Sequence, residues 1–277
     1  MKRSRTFRLP LSGAGLAIAT LLLSVVGLGA CKEVATKEAT SLSMDPGKDP
    51  GLAKTPLTMV WHHHSTGDRI LQGGLLAALK ADHIVFYDIN YKEAKVGDYV
   101  IGDKTNPPDF PKNFNTSQYF DVIKSWELKD KKKQHDVIMF KSCYPASQID
   151  SDAKLEAYKG YYKALLPMFK SHPDILFIAM STPPLVRRDT KKANALRARR
   201  WAKWVTTVYA KDLKNVQVFD LFNALAIREG FKNANTLVPQ FAHDKWDSHP
   251  NVAGAKAVTR MFIPWFNRAL RAAGKTL

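Results

Sequence analysis

Ser65 stands in the run His62-His63-His64-Ser65-Thr66-Gly67-Asp68, directly after the apolar stretch Leu57-Thr58-Met59-Val60-Trp61. A serine at a strand-to-helix turn projects its hydroxyl at the mouth of a sheet. The helix start beyond it offers free N–H groups and a positive dipole end to a developing oxyanion, which suits a nucleophile. The plainer alternative is that Ser65 or Thr66 caps the helix. Far along the chain lies Asp244-Lys245-Trp246-Asp247-Ser248-His249-Pro250-Asn251. A serine nucleophile needs a base, and histidine is the usual one near neutral pH. That base needs a carboxylate on its other nitrogen to fix its tautomer. In an extended segment residues two apart point to the same side, so Asp247 can face the cleft beside His249. Asp244, five residues before His249, would need the chain to fold back.

Other chemistry-bearing residues have plainer readings. Three consecutive histidines cannot all face one ion in an extended strand, because neighbouring side chains alternate. No cysteine and histidine set has the spacing of a structural zinc site either. No metal and no cofactor is expected, and His64 is read as a wall residue beside Ser65. Cys143 reads as a small buried hydrophobe. The basic run Arg187-Arg188-Asp189-Thr190-Lys191-Lys192, continuing through Arg197, Arg199 and Arg200 to Trp201 and Trp204, reads as a solvated helix face. Its alternative is a rim for an anionic glycan, with the tryptophans as stacking platforms.

The elements that must hold these residues follow from apolar patterning. Runs at 57–61, 84–87, 137–140, 175–179 and 216–219 are short, β-branched or aromatic, and bounded by polar or turn residues, as buried strands are. Amphipathic stretches at about 69–81, 117–128, 152–171, 190–213 and 252–273 predict helices between and after them. Alternation of this kind predicts a flavodoxin-like three-layer α/β/α sandwich around a five-stranded parallel sheet. In such sheets the site lies beyond the carboxyl ends of the strands. Residues 91–114 are rich in Gly, Asp, Asn and Pro and read as a long loop forming one wall of the site.

The N-terminus places the domain in a compartment. Lys2, Arg3, Arg5 and Arg8 precede an uncharged run from Leu9 to Ala30, the layout of an export signal. The run ends in Leu28-Gly29-Ala30-Cys31, which resembles the bacterial lipobox, with Cys31 as the lipidated first residue of the mature chain. Lys32 follows, not the Asp of an inner-membrane retention signal, which favours the outer membrane. The expected organisation is a signal peptide at 1–30, a tether at 31–56 and one domain at 57–277. Residues 32–56 are rich in Lys, Ser, Thr, Pro and Gly without apolar period, as a tether is. Loss of residues 1–30 removes four basic residues, so 38 Lys plus Arg face 25 Asp plus Glu, a net charge of +13. Such a balance reads either as a soluble, well-charged surface or as one that attracts polyanions. For an exported protein that means acidic glycans, lipid headgroups or cell wall, not nucleic acid. Cys31 and Cys143 are the only cysteines, so with Cys31 lipidated the domain relies on its core and not on a disulfide.

The serine after the first strand and the Asp-x-His-Pro segment before the last helix resemble the SGNH/GDSL hydrolases. His64-Ser65-Thr66-Gly67 stands where that family has its Gly-Asp-Ser block, without the preceding Gly-Asp. Asp247-Ser248-His249 has one intervening residue where most members have two. That spacing looks more like the polysaccharide O-acetyltransferase relatives, such as the alginate acetylation proteins. The resemblance implies a serine esterase with Ser65, His249 and Asp247 as its triad. It also implies oxyanion donors from Ser65 itself, a glycine after strand two and an Asn after strand three. Gly102 is the expected second donor, with Gly97 as an alternative. Lys141-Ser142-Cys143 lacks the Asn, and Ser142 is expected to substitute. The implied substrate is an O-acyl, chiefly O-acetyl, carbohydrate or lipid of the cell envelope, reached from a lipid anchor. Acyl transfer to an envelope glycan and non-catalytic envelope binding are the rival readings.

Overall fold

Five runs of branched, aromatic and long aliphatic residues pair side by side, and the central ones bury both faces. The computed structural model describes residues 56–276. The signal peptide, Cys31 and the tether expected from the sequence lie outside the described residues.

In chain order the elements begin with β1 (Thr58–His62) and α1 (Ser65–Ile70). α1 runs through a π turn (Leu71–Leu75) into α2 (Leu76–Ala81). β2 (Val85–Ile89) follows, then two short strands, β3 (Lys95–Val96) and β4 (Tyr99–Val100), α3 (Phe110–Asn115) and α4 (Ser117–Lys124). β5 (Val137–Phe140), α5 (Asp152–Lys163), α6 (Leu166–Ser171), β6 (Leu176–Met180), α7 (Lys192–Thr207), β7 (Val216–Phe219) and α8 (Leu221–Leu225) continue the alternation. A hairpin of β8 (Ala242–Asp244) and β9 (Asp247–Pro250) leads into the last helix, α9 (Val252–Ala272).

The sheet has the order β2-β1-β5-β6-β7 and every pairing in it is parallel. The five-stranded three-layer architecture expected from the sequence is therefore present. The chain leaves β1 in one direction to β2 and later crosses to β5 on its other side. The crevice between the ends of β1 and β5 is thus the switch point where open α/β sheets take ligands.

Alternate residues of each strand feed two cores. On one face Met59, Trp61, Met139, Ile178 and Met180 pack with Val258, Phe262 and Phe266 of α9. On the other face Val60, Ile138, Phe140 and Phe177 pack with Phe110, Phe114, Tyr162, Phe169 and Trp201. The central strands β5 and β6 are buried at every position, whereas the edge strand β2 is only partly covered.

Two expectations change. Residues 91–114 are not a structureless loop: they hold the β3–β4 hairpin, a 3-10 turn at Ile101–Asp103 and most of α3. Ala94, Ile101, Phe110 and Phe114 from this segment are buried in the second core. Two-residue strands are too short to show a period. Pro111 lies in the first turn of α3, where a missing N–H costs nothing. The helix expected over 152–171 is broken in two around Ala164 and Leu165, with Pro167 in the first turn of the second piece.

Candidate active site

Helix α1 begins at Ser65 itself, four residues earlier than apolar periodicity suggests, because Ser65, Thr66, Gly67 and Asp68 carry no apolar stripe. As the first helical residue, Ser65 has an N–H with no carbonyl one turn behind it. Its hydroxyl lies at the carboxyl end of β1, facing β9.

His249 Nε2 is 2.7 Å from Ser65 Oγ, and His249 Nδ1 is 2.6 Å from Asp247 Oδ1. The same Asp247 oxygen accepts the His249 backbone N–H at 2.9 Å. Asp247 and His249 lie on one side of β9, as two residues of a strand two apart must. With Nδ1–H donated to the carboxylate, Nε2 presents a lone pair to the serine. Partial burial works to raise the Asp247 pKa, but the backbone and ring N–H groups of His249 outweigh it and hold the carboxyl below its ordinary value. Asp244 takes another part: its Oδ1 accepts the Trp246 N–H at 2.5 Å and shapes the hairpin turn. The structure thus brings Ser65, His249 and Asp247 into one hydrogen-bonded line across 184 residues and leaves Asp244 out of it.

The expected oxyanion donors fare differently. The Gly102 N–H donates to Glu93 O at 3.1 Å and its carbonyl accepts from His64 Nε2 at 2.7 Å, so its amide is already engaged. A Cβ there would sit 1.8 Å from Asn90 O, so Gly102 is a close-packing glycine. Gly97 has φ +57° at the turn of the β3–β4 hairpin, which is the reason for a glycine there. Ser142 is fully buried beside Tyr162, and its hydroxyl has no hydrogen-bond partner.

The neighbouring Cys143 is the residue after β5 that meets Ser65. Its Sγ is 3.5 Å from Ser65 Oγ and 3.4 Å from Thr66 Oγ1. Reading Cys143 as a buried small group catches its burial and misses this contact. The only sequence signal for it is its place just after β5. Lys141, fully buried, donates from Nζ to Ser142 O at 3.2 Å, and burial pulls its ammonium below the usual lysine range.

Aromatic residues complete the rim. Tyr91 stacks on His64 at 3.9 Å between ring centroids, and its hydroxyl is 3.5 Å from Ser65 Oγ. The Tyr144 ring meets His249 edge-on at 4.8 Å. The three histidines diverge as strand alternation requires. His62 Nε2 bonds Ile101 O at 2.9 Å, and His64 turns to the same loop. His63 lies between Asp68 and Asp88 at 3.8 and 3.5 Å. One ligand atom from each of His63, Asp68 and Asp88 falls within 4.8 Å of the others, the one such group among the described residues. There Asp68 Oδ1 already accepts from Asn90 Nδ2 at 2.6 Å.

The arginines of α7 are tied to the protein. Arg197 and Arg200 pair with Asp152 at 3.2 and 3.0 Å, and Arg199 donates to Asn235 at 2.8 Å. Trp201 is fully buried in the second core and cannot be a stacking platform.

No protein-family model matches the sequence, and no curated protein matches it. Among solved structures, a candidate acylhydrolase from Bacteroides fragilis NCTC 9343 superposes with a TM-score of 0.51 at 12% identity, over 79% of this chain and 90% of that one. A candidate GDSL-like lipase from Bacteroides ovatus ATCC 8483 gives 0.40 at 13% identity, over 79% of this chain and 55% of its own. The salicylyl-acyltransferase SsfX3 of a tetracycline biosynthetic pathway gives 0.40 at 15% identity, over 80% of this chain and 57% of its own. Together with the parallel sheet order, the first of these likenesses assigns the chain the three-layer α/β/α fold that the Bacteroides fragilis protein also has.

Proposed function

We propose that the protein is a serine esterase that removes an O-acyl group, chiefly acetyl, from a carbohydrate or lipid of the bacterial cell envelope. The observation that carries this reading is the line Asp247–His249–Ser65, with spacings of 2.6 and 2.7 Å. Ser65 Oγ attacks the acyl carbon while His249 Nε2 takes its proton and Asp247 holds the resulting imidazolium. The carbonyl oxygen, now negative, is met by the Ser65 N–H at the start of α1. His249 then returns the proton to the leaving sugar or glycerol oxygen, and an acyl-Ser65 remains. Water, deprotonated by the same histidine, releases the acid and restores the serine.

A second reading replaces that water with a glycan hydroxyl, making the protein an O-acyltransferase. The single residue between Asp247 and His249 favours it, because this is the spacing that resembles the polysaccharide acetyltransferases. Mass spectrometry of a glycan acceptor incubated with an acyl donor distinguishes transfer from hydrolysis.

Ser65→Ala is expected to lower turnover of a chromogenic acetate ester by on the order of 10⁴-fold while the circular dichroism spectrum stays unchanged. A folded Ser65→Ala protein with full activity would remove Ser65 as the nucleophile. The envelope location rests on Cys31 at the end of the apolar run. Metabolic labelling with a palmitate analogue is expected to mark the native chain and not Cys31→Ser. Equal label on both would end the lipoprotein reading.

A further inference from the structure

Strand alternation keeps the three adjacent histidines from sharing one ion, but it leaves any one of them free to meet carboxylates from other elements. His63 does so. Trp61 pairs in register with Asp88, and His63, two residues beyond Trp61, faces the same side of the sheet. Asp68 comes from the first turn of α1, so the His63 ring lies between a carboxylate of that helix and one of the edge strand β2. The ring is held in place. It is fully buried, its centroid is 4.5 Å from that of Trp61, and a Cβ on Gly67 would stand 2.3 Å from its Nδ1.

The two ring nitrogens have different surroundings. Nδ1 lies 3.1 Å from the His64 carbonyl oxygen, which can only accept, so Nδ1 carries the proton of the neutral ring. Nε2 then presents a lone pair. It is buried, has no hydrogen-bond partner, and faces Asp88 Oδ2 at 3.5 Å. A lone pair facing a carboxylate oxygen in a buried place needs a positive charge between them. A proton there would make a charge-assisted hydrogen bond, which draws its ends to about 2.7–2.9 Å. A metal ion bound at about 2.0–2.2 Å to each atom spreads them to roughly 3.4 Å. The 3.5 Å spacing is that of two ligands on one ion. Asp68 supplies a third, since one ligand atom from each of the three residues lies within 4.8 Å of the others. Asn90 Nδ2 holds Asp68 Oδ1 at 2.6 Å and orients the carboxylate, whose Oδ2 makes no hydrogen bond among the described residues. The side chains of Asp68 and Asp88 are 31% and 44% exposed, which gives an ion a way in and leaves room for water as a further ligand.

We propose that His63 Nε2, Asp68 and Asp88 bind a divalent transition-metal ion of the zinc type. One imidazole beside two carboxylates suits zinc or cobalt, whereas magnesium and calcium take oxygen ligands. None of the three ligands belongs to the line Asp247–His249–Ser65. His63 and Asp68 instead bracket Ser65 in the chain, so the ion clamps the end of β1, the first turn of α1 and the end of β2 around that residue. The inference does not rest on the esterase reading.

The test uses the full chain freed of metal by dialysis against EDTA. Calorimetric titration with Zn²⁺ is expected to show saturable uptake of a single ion per chain, and Co²⁺ to give the visible absorption of a four-coordinate site. Mg²⁺ should show neither. Zn²⁺ should also raise the melting temperature of the wild-type chain, because it binds the folded state. Asp68→Asn and Asp88→Asn keep the shape of partly exposed side chains, and circular dichroism checks that each variant folds. Each should weaken Zn²⁺ binding about tenfold or more, since loss of a group that merely supports a ligand already costs that much. His243→Gln removes an exposed histidine 3.5 Å from Asp247 Oδ2 and should leave binding unchanged. No uptake of Zn²⁺ or Co²⁺ by the wild-type chain would overturn the proposal. So would unaltered affinity in Asp88→Asn, or loss of binding with His243→Gln alone. Every readout is of binding. A protein that takes up zinc but does not cleave esters keeps the site and loses the esterase, and one that cleaves but takes up none does the reverse.

Discussion

At the residue scale, Asp247 and not Asp244 is the carboxylate that hydrogen-bonds His249. Asp247 Oδ1 holds both the ring and the backbone of His249, while Asp244 is spent on the hairpin turn. Asp247→Asn keeps the shape and removes the charge that stabilises the imidazolium, so kcat is expected to fall by on the order of 10⁴-fold. Asp244→Asn should leave kcat nearly unchanged, because an amide oxygen still accepts the Trp246 N–H. Parallel ester kinetics on the two variants check this, and a crippled Asp244→Asn beside a healthy Asp247→Asn would reverse the assignment. Ser65, Asp247 and His249 could be singled out in the sequence because each has a side chain whose chemistry is written in its type and a neighbour that fixes its direction. The oxyanion donors could not. Whether the Gly102 amide is free depends on the fold of residues 90–103, where Glu93 O claims it. Whether residue 142 or 143 faces Ser65 depends on how the chain leaves β5.

Between elements, the contact that matters most joins the π turn after α1 to α9. Gly73 lies against Ala255 so closely that a Cβ would stand 2.1 Å from the Ala255 Cβ. The helix holding Ser65 thus packs directly on the helix that follows His249. Next to it Gly74 has φ +121°, a conformation open to glycine, and this is where the helical run bends. In an open helix Gly73→Ala would stabilise by up to about 1 kcal/mol. Here the clash is with a short side chain on a packed helix and cannot be relieved by rotation. Thermal or urea unfolding of Gly73→Ala is expected to show a net loss of about 1–3 kcal/mol. A more stable variant would mean that α9 can move away freely. The five strands were legible because each is a continuous apolar run, and α9 because its apolar period lasts through many turns. The β3–β4 and β8–β9 hairpins were not, since strands of two to four residues leave no period to read. The glycines at the bend gave no sign in the sequence of which helix they would meet.

Over the whole molecule, buried histidines set the response to acid. His62 is fully buried, and burial carries its pKa from 6.5 down to about 3, against a smaller upward pull from its bond to Ile101 O. His135 is likewise lowered to about 4, first by burial. Both stay neutral in the folded chain while the unfolded chain takes up protons below 6.5, so stability falls as pH drops through 6.5 toward those folded values. Each histidine contributes up to about 1.4 kcal/mol per pH unit in that window. Melting temperatures measured from pH 7 to 5 should therefore decline, and His62→Gln should flatten the slope. An identical slope in that variant would show that His62 is not the titrating group. The long separation of Ser65 from His249 has a consequence in time. A ribosome releases Ser65 and its helix 184 residues before His249. Contacts this remote in sequence also form late in folding. In the growing chain the hydrogen-bonded line through Ser65 can therefore close only once His249 and the sheet between them have been delivered and folded.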